Sequence, residues 1–135
     1  MASTTICMCG STKDYDSCCG IAHNNIMNVK TAEQLMRSRY SAFCLANGNF
    51  LLNSHHSSTR PNNSSEINEI VKWAKSVLWI KLEILNTTQG KEDETFGTVE
   101  FKAYYLENGN HGIIHENSTF EKENGHWVYV DRCQY

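Results

Sequence analysis

The stretch INEIVKWAKSVLWIKLEI, residues 67–84, decides the fold class because the hydrophobic period changes within it. In its first half, apolar residues recur every three to four positions, which indicates an amphipathic helix that begins near Ser64 or Ser65. From Leu78 onward, apolar and polar residues alternate, as they do on a half-buried strand. The inward positions of this strand are predicted to be Leu78, Ile80, Leu82 and Ile84.

Three more alternating segments follow this strand. They run over Val99–Tyr105, Ile114–Phe120 and Trp127–Asp131, and turn residues separate each segment from the next. Asn124-Gly125 is a strong signal for a tight hairpin. Because consecutive strands joined by short turns pair antiparallel, the sequence predicts a four-stranded meander.

Helices are predicted before the sheet. Thr31 and Gln34 have the spacing of a capping box, and apolar residues then recur at helical spacing until the helix ends near Asn47-Gly48. A short helix around Phe50 and a polar loop over residues 55–65 come next. Helices followed by an antiparallel sheet are typical of an α+β domain, in which the helices cover the apolar face of the sheet.

The composition excludes several functional classes. The chain has 135 residues, 40% of them apolar, which is enough for one core. Its net charge is −3 with acids and bases mixed, so nothing resembles a basic stripe for nucleic acid. No apolar run approaches the roughly 20 residues of a membrane helix, and the first residues lack the pattern of a signal peptide. We therefore expect a cytoplasmic protein.

Four of the six cysteines fall within thirteen residues, at Cys7, Cys9, Cys18 and Cys19. Adjacent cysteines make a poor disulfide pair, and clustered thiols in a cytosolic protein favour a metal. The spacing predicts one structural Zn²⁺ per chain, because four protein ligands leave no open coordination position. Two alternatives stay open: a redox cluster or free thiols, and His23 in place of one of the second pair.

The neighbours of these cysteines suit a metal site. Gly10 and Gly20 supply backbone freedom after each pair, and Lys13 can offset the negative charge of the thiolates. Few apolar side chains lie in the first twenty residues, so metal binding is expected to replace the hydrophobic core there.

Residues 7–20, CMCGSTKDYDSCCG, resemble the SEC-C motif, a zinc finger found at the C-terminus of the SecA translocation motor. Gly10, Ser11, Lys13 and Tyr15 match the motif between its two cysteine pairs. The resemblance implies that both pairs hold zinc. Because the finger of SecA contacts a chaperone and the ribosome, the resemblance also implies a protein partner bound through this knuckle.

The stretch LMRSRYSAF, residues 35–43, resembles the signature of the bacterial YchJ-like family, and further matches extend to residue 131. The resemblance implies an SEC-C motif over residues 1–22 and a domain of the nuclear transport factor 2-like (NTF2-like) fold over residues 30–135. In that fold, helices form a cone wrapped by a curved antiparallel sheet. The chain departs from the family pattern at His55-His56-Ser57, where members usually have Trp-His-Pro.

A candidate ligand pocket follows from the third strand. Glu116 shares a face with Ile114 and Phe120, and a buried carboxylate needs a partner. Arg37 and Arg39 are the candidates, and Arg39 is preferred. The group forms either a structural ion pair or the polar floor of a pocket for a small ligand. The predicted pocket residues are Arg37, Arg39, Tyr40, His56, Glu116 and Phe120.

Two functional hypotheses follow. The first is a non-enzymatic binding protein that combines a structural zinc site with a pocket. The alternative is an isomerase or dehydratase, as in some proteins of this fold, using Glu116 or His56 for acid–base chemistry. His55 and His56 are otherwise solvated loop residues. Cys44 is expected to be a small core residue, and Cys133 has no obvious mate.

Overall fold

The computed structural model describes residues 5–61 and 63–132. The first four residues of the expected SEC-C motif and the last three of the expected NTF2-like domain, Cys133 among them, therefore lie outside the described residues. Within the described part, a hairpin of residues 5–15 and short helical segments precede three further helices and then the sheet. The helices are α1 Cys19–Asn24, α2 Ala32–Leu45, α3 Gly48–Asn53 and α4 Ser64–Ser76; the strands are β1 Leu78–Gln89, β2 Phe96–Glu107, β3 Asn110–Glu123 and β4 His126–Arg132.

The sheet is the predicted antiparallel meander, with strand order β1-β2-β3-β4. The turns at Asn108-Gly109 and Asn124-Gly125 both have two residues with positive φ, as a two-residue type I′ hairpin requires. All four strands extend beyond their predicted bounds. The α+β fold class is therefore confirmed, and the helices lie on one face of the sheet.

The inward face of β1 differs from its prediction. Leu78 and Ile80 are 64% and 46% exposed, whereas Trp79 packs against the core. A bulge between Trp79 and Lys81 shifts the pairing with β2, and so it reverses the alternation at the start of the strand. Trp79 packs edge-on against Trp73 of α4, and the ring centroids are 5.4 Å apart.

Helix α2 is central to the core. Thr31 caps its start as predicted, since the Thr31 hydroxyl accepts a hydrogen bond from the Gln34 amide at 3.1 Å. The helix packs on the sheet through Leu35, which is fully buried beside residues such as Phe101 and Trp127. The Trp127 indole donates to the Lys30 carbonyl at 3.1 Å and so ties β4 to the segment before α2.

The end of α2 differs from the prediction. The helix ends at Leu45, and Ala46 takes the left-handed conformation with φ 53° in place of the expected Asn47-Gly48. Gly48 instead begins α3, where a Cβ atom would lie 2.8 Å from Val71. Close packing between α3 and α4, and not a left-handed turn, accounts for this glycine.

Short helical segments also fill the stretch between the cysteine cluster and α2. Residues 19–24 form α1, and a 3₁₀ turn follows at Ile26–Asn28, where the Asn25 side chain accepts from the Met27 amide. No helix in the described ranges is long and apolar enough to cross a bilayer.

The left-handed alanine leads to a stability prediction. Ala46→Gly is expected to raise the free energy of unfolding by about 1 kcal/mol, because the left-handed conformation costs a residue with a Cβ atom about that amount. The melting temperature should then rise by about 4 °C. As a control inside helix α2, Ala42→Gly is expected to lower stability by at least about 1 kcal/mol. A fall in melting temperature with Ala46→Gly would contradict the prediction.

Candidate metal centre and cavity

The first cysteine pair lies in a tight hairpin. The Tyr15 amide donates to the Thr5 carbonyl at 2.7 Å, and the Cys7 amide donates to the Lys13 carbonyl at 2.8 Å. Gly10 follows Cys9 with φ 87°, a conformation that favours glycine. The turn therefore brings Cys7 and Cys9 onto the same side of the hairpin.

The second pair lies where a 3₁₀ turn at Tyr15–Ser17 meets α1, and Cys19 is the first residue of that helix. Gly20 is helical, so it is not the free turn expected from the sequence. A Cβ atom there would lie 2.7 Å from the Tyr15 carbonyl oxygen. Glycine at this position allows Tyr15 to approach α1 closely.

All four cysteines meet at one point. Their Sγ atoms lie within 4.8 Å of one another, and those of Cys9 and Cys18 are 3.6 Å apart. Zn–S bonds of 2.3 Å in a tetrahedron would place the sulfurs about 3.8 Å apart. Cys7, Cys9 and Cys19 are at most 3% exposed, and none of the four is in a disulfide. The donor set therefore fits a metal ion.

Hydrogen bonds among the thiols favour ionisation at one position. A hydrogen bond from the Cys19 thiol lowers the pKa of Cys9 to about 4, and the same bond raises the pKa of Cys19. Hydroxyl groups also reach the sulfurs, with Ser11 Oγ 3.1 Å from Cys18 Sγ and Ser41 Oγ 3.7 Å from Cys7 Sγ. Such outer contacts orient thiolate ligands and disperse their charge.

Arg37 lies beside this centre. Its Nη1 donates to the Cys9 carbonyl at 2.7 Å, and its Nε pairs with Glu33 Oε2 at 2.9 Å. With Ser41 one turn later on α2, it makes this face of the helix the platform on which the cysteine hairpin rests. The sequence signal for this arrangement is the i, i+4 spacing of Arg37 and Ser41, which puts both side chains on one face of the helix.

Both ring nitrogens of His23 form hydrogen bonds to other groups, so His23 does not replace a cysteine in this arrangement. Its Nε2 lies 2.7 Å from the Ser38 carbonyl, which can only accept, so Nε2 carries the proton. Nδ1 then accepts from the Tyr15 hydroxyl at 2.6 Å. Burial lowers the pKa of His23, which favours this neutral form.

A second feature is a cavity of about 250 Å³ between α2, α4 and the sheet. Three of the six predicted pocket residues, Arg39, Tyr40 and Glu116, line it. Half of the residues that line it are aromatic, and those that the sequence did not predict as pocket residues are Phe43, Trp73, Trp79, Phe101 and Tyr129. The bulge that turns Trp79 inward explains why alternation alone missed this wall.

Arg39 and Glu116 do not pair, contrary to the sequence-based preference. Glu116 Oε1 lies 4.0 Å from Arg132 Nη1, and the Glu116 side chain is 26% exposed. Arg39 is 8% exposed, and its Nη1 donates to Ser54 Oγ at 2.6 Å and to the Leu51 carbonyl at 3.0 Å. Burial lowers the pKa of Arg39 to about 10, so the guanidinium is still charged at neutral pH.

His56 and Phe120 lie outside the cavity wall. His56 Nε2 is 3.5 Å from Glu123, whose carboxylate also accepts hydrogen bonds from the Ser57 amide and hydroxyl. The loop thus holds His56 against the end of β3. Phe120 is fully buried and packs on Tyr129, with ring centroids 5.9 Å apart. The structure therefore does not bring His56 together with Glu116 in the cavity.

The contacts of His23 lead to a second stability prediction. His23→Leu leaves the Ser38 carbonyl and the Tyr15 hydroxyl without their partner, which is expected to cost about 1–3 kcal/mol of unfolding free energy. His115→Leu is the control, because His115 forms only an exposed pair with Glu100 that is worth at most about 1 kcal/mol. Chemical denaturation would measure both, and equal losses would contradict the role given to His23.

Comparison with known proteins gives one family. The family model described as the middle NTF2-like domain of YchJ matches residues 31–132. A UPF0225 protein of Vibrio parahaemolyticus is 44% identical over 97% of this chain and 75% of its own length. A UPF0225 protein of Streptomyces coelicolor is 40% identical over 95% of this chain and 94% of its own length.

Solved structures agree with this assignment. The solution structure of a SEC-C motif containing protein from Rhodopseudomonas palustris superposes with a TM-score of 0.84 at 28% identity, over 97% of this chain and 99% of that one. The crystal structure of a SEC-C motif containing protein from Psychrobacter arcticus gives 0.76 at 28% identity, over 98% and 84%. The chain therefore belongs to the YchJ-like, UPF0225 family, with an N-terminal SEC-C cysteine cluster and an NTF2-like fold.

Proposed function

We propose that this chain is a non-enzymatic binding protein in which Cys7, Cys9, Cys18 and Cys19 hold one structural Zn²⁺. The observation that carries the proposal is the convergence of four Sγ atoms, three of them on buried cysteines, within 4.8 Å of one another. Four soft sulfur donors suit Zn²⁺, whose d¹⁰ shell imposes no coordination geometry of its own on the protein ligands.

A saturated set of ligands makes the ion structural. All four positions are supplied by the protein, so no site is left for water or substrate. The metal would hold the hairpin of residues 5–15 onto α1, where few apolar side chains are buried. Binding free energies of about 10–16 kcal/mol for such sites become folding free energy of the segment.

The knuckle is also proposed to bind another protein. Ile6 is 61% exposed and directly precedes Cys7, and Ile21 is 44% exposed and follows Cys19 by two positions. Apolar side chains displayed on a rigid, metal-braced surface suit a protein contact. Reduced thiols are a feature of cytosolic proteins, so the same site supports a cytoplasmic location.

The cavity supports ligand binding better than catalysis. Glu116 is in its wall, but the second acid–base candidate, His56, is held by Glu123 outside it. One carboxylate beside an aromatic wall offers no matched acid and base for an isomerase or dehydratase. We therefore place the cavity in the binding function.

Elemental analysis tests the metal assignment. The purified protein should contain about one zinc per chain, and Cys7→Ser or Cys18→Ser should lower that ratio, because each removes one of four sulfur ligands. Cys44→Ser is the matched control, since Cys44 lies outside the cluster on α2 and burial raises its pKa to about 11. The control should retain its zinc.

Two results would overturn the assignment. One is a folded protein without metal in which the four thiols are oxidised to disulfides. The other is iron in place of zinc as the stoichiometric metal, since a four-sulfur site can also hold iron.

A further inference from the structure

The side chain of Arg39 is buried in the wall of the cavity without a carboxylate partner. Within the described ranges, no Asp or Glu oxygen lies within 4.0 Å of its guanidinium. Among the described residues, the polar contacts of the guanidinium are hydrogen bonds to the Leu51 carbonyl and the Ser54 hydroxyl. The ring of Tyr129 also lies against it, with its centroid 4.7 Å from Cζ. Burying a cation without a counter-ion is costly, so the site calls for an explanation.

One edge of the guanidinium is still available. Nη1 makes both hydrogen bonds, whereas Nε and Nη2 have no acceptor among the described residues. Asn117 Oδ1 is the one fully enclosed side-chain oxygen or nitrogen without a partner in the described part of the chain. Nε and Nη2 of Arg39 also lack partners, but unlike Asn117 Oδ1 they are not fully enclosed, so they keep some contact with open space. Arg39 is one of the residues that line the cavity. This edge is the fork that binds a carboxylate through two parallel hydrogen bonds.

The rest of the cavity specifies the body of the ligand. One wall is formed by the rings of Tyr40, Phe43 and Trp73 around Trp79, and each of the three centroids lies 5.4–5.9 Å from that of Trp79. The volume of about 250 Å³ exceeds the roughly 150 Å³ that suffices to bind benzene in an apolar cavity. There is thus room for one aromatic ring together with a carboxyl group.

The charges limit the ligand to a monoanion. Arg39 is the single cationic side chain in the wall, as far as the structure describes it, and Glu116 adds a negative charge to the same wall. A phosphate ester would bring a second negative charge with no second cation to meet it. A carboxylate needs only the one fork.

We infer that the cavity binds a small aromatic monocarboxylate, with the carboxylate on the Nε and Nη2 edge of Arg39 and the ring against Trp73 and Trp79. This inference rests on the proposed binding role of the cavity and names its ligand class. The ring of Tyr129 would help to hold the guanidinium in place through its cation–π contact.

Binding can be measured with defined acids and their neutral amides. Phenylacetate, benzoate and indole-3-acetate would each be titrated into the zinc-loaded protein, beside the corresponding amide. Quenching of tryptophan fluorescence reports on Trp73 and Trp79, and ¹H–¹⁵N NMR shifts at Phe101 and Ser118 locate the ligand. At least one acid should bind with its shifts confined to the cavity, and its amide should bind at least tenfold more weakly.

Two variants test the assigned groups. Arg39→Met should weaken the acid at least tenfold and leave the amide unchanged. Glu116→Gln should bind the acid at least as tightly as the unchanged protein, because it removes a like charge from a partly exposed position. It also keeps Arg39 intact, so it remains informative if Arg39→Met does not fold.

The outcomes separate this inference from the proposed function. No binding by any of the three acids at 10 mM, equal affinity for acid and amide, or a loss of acid binding in Glu116→Gln would overturn the ligand class. Zinc content is measured on the same samples. A full zinc ratio with no acid binding would overturn the ligand class and leave the metal assignment standing.

Discussion

The contact between helix α2 and the elements on its two sides is the constraint on which the rest of the structure depends. One face of the helix carries Arg37 and Ser41 against the cysteine hairpin, and another carries Arg39 and Tyr40 into the cavity. Positions one turn apart share a face, whereas neighbouring positions point about 100° apart. A single helix therefore serves as the platform of the candidate metal centre and as a wall of the cavity.

The two arginines of this helix show how position determines the role of one residue type. Arg37 is half-buried and satisfied, with Glu33 on one side and the Cys9 carbonyl on the other. Arg39 is almost fully buried and contacts only neutral groups. Arg37 is a structural residue that links α2 to the cysteine hairpin. Arg39 is a buried cation whose Nε and Nη2 have no hydrogen-bond acceptor among the described residues, and the ligand class proposed for the cavity follows from these two free donors.

The fold was largely predictable because its signals are local. The Thr31 cap, the change of period at Leu78 and the two Asn-Gly turns each depend on a few neighbouring residues, and all appear in the structure. The errors have a different origin. The bulge after Trp79 follows from pairing with β2, and the left-handed Ala46 with Gly48 packed on Val71 follows from the contact between α3 and α4. Such long-range causes leave no mark in a hydrophobic pattern.

The sequence by itself determined the α+β order, the grouping of four cysteines and the family resemblance, since spacing and turn chemistry are properties of consecutive residues. Only the tertiary structure decided which side chains meet. It separated Arg39 from Glu116, held His56 against Glu123 and turned Trp79 inward to join Trp73 in one aromatic wall. The cysteine cluster could be found from the sequence because a hairpin and one helical turn assemble it. The cavity could not, because its wall comes from two helices and the sheet, whose register and packing set the distances between them.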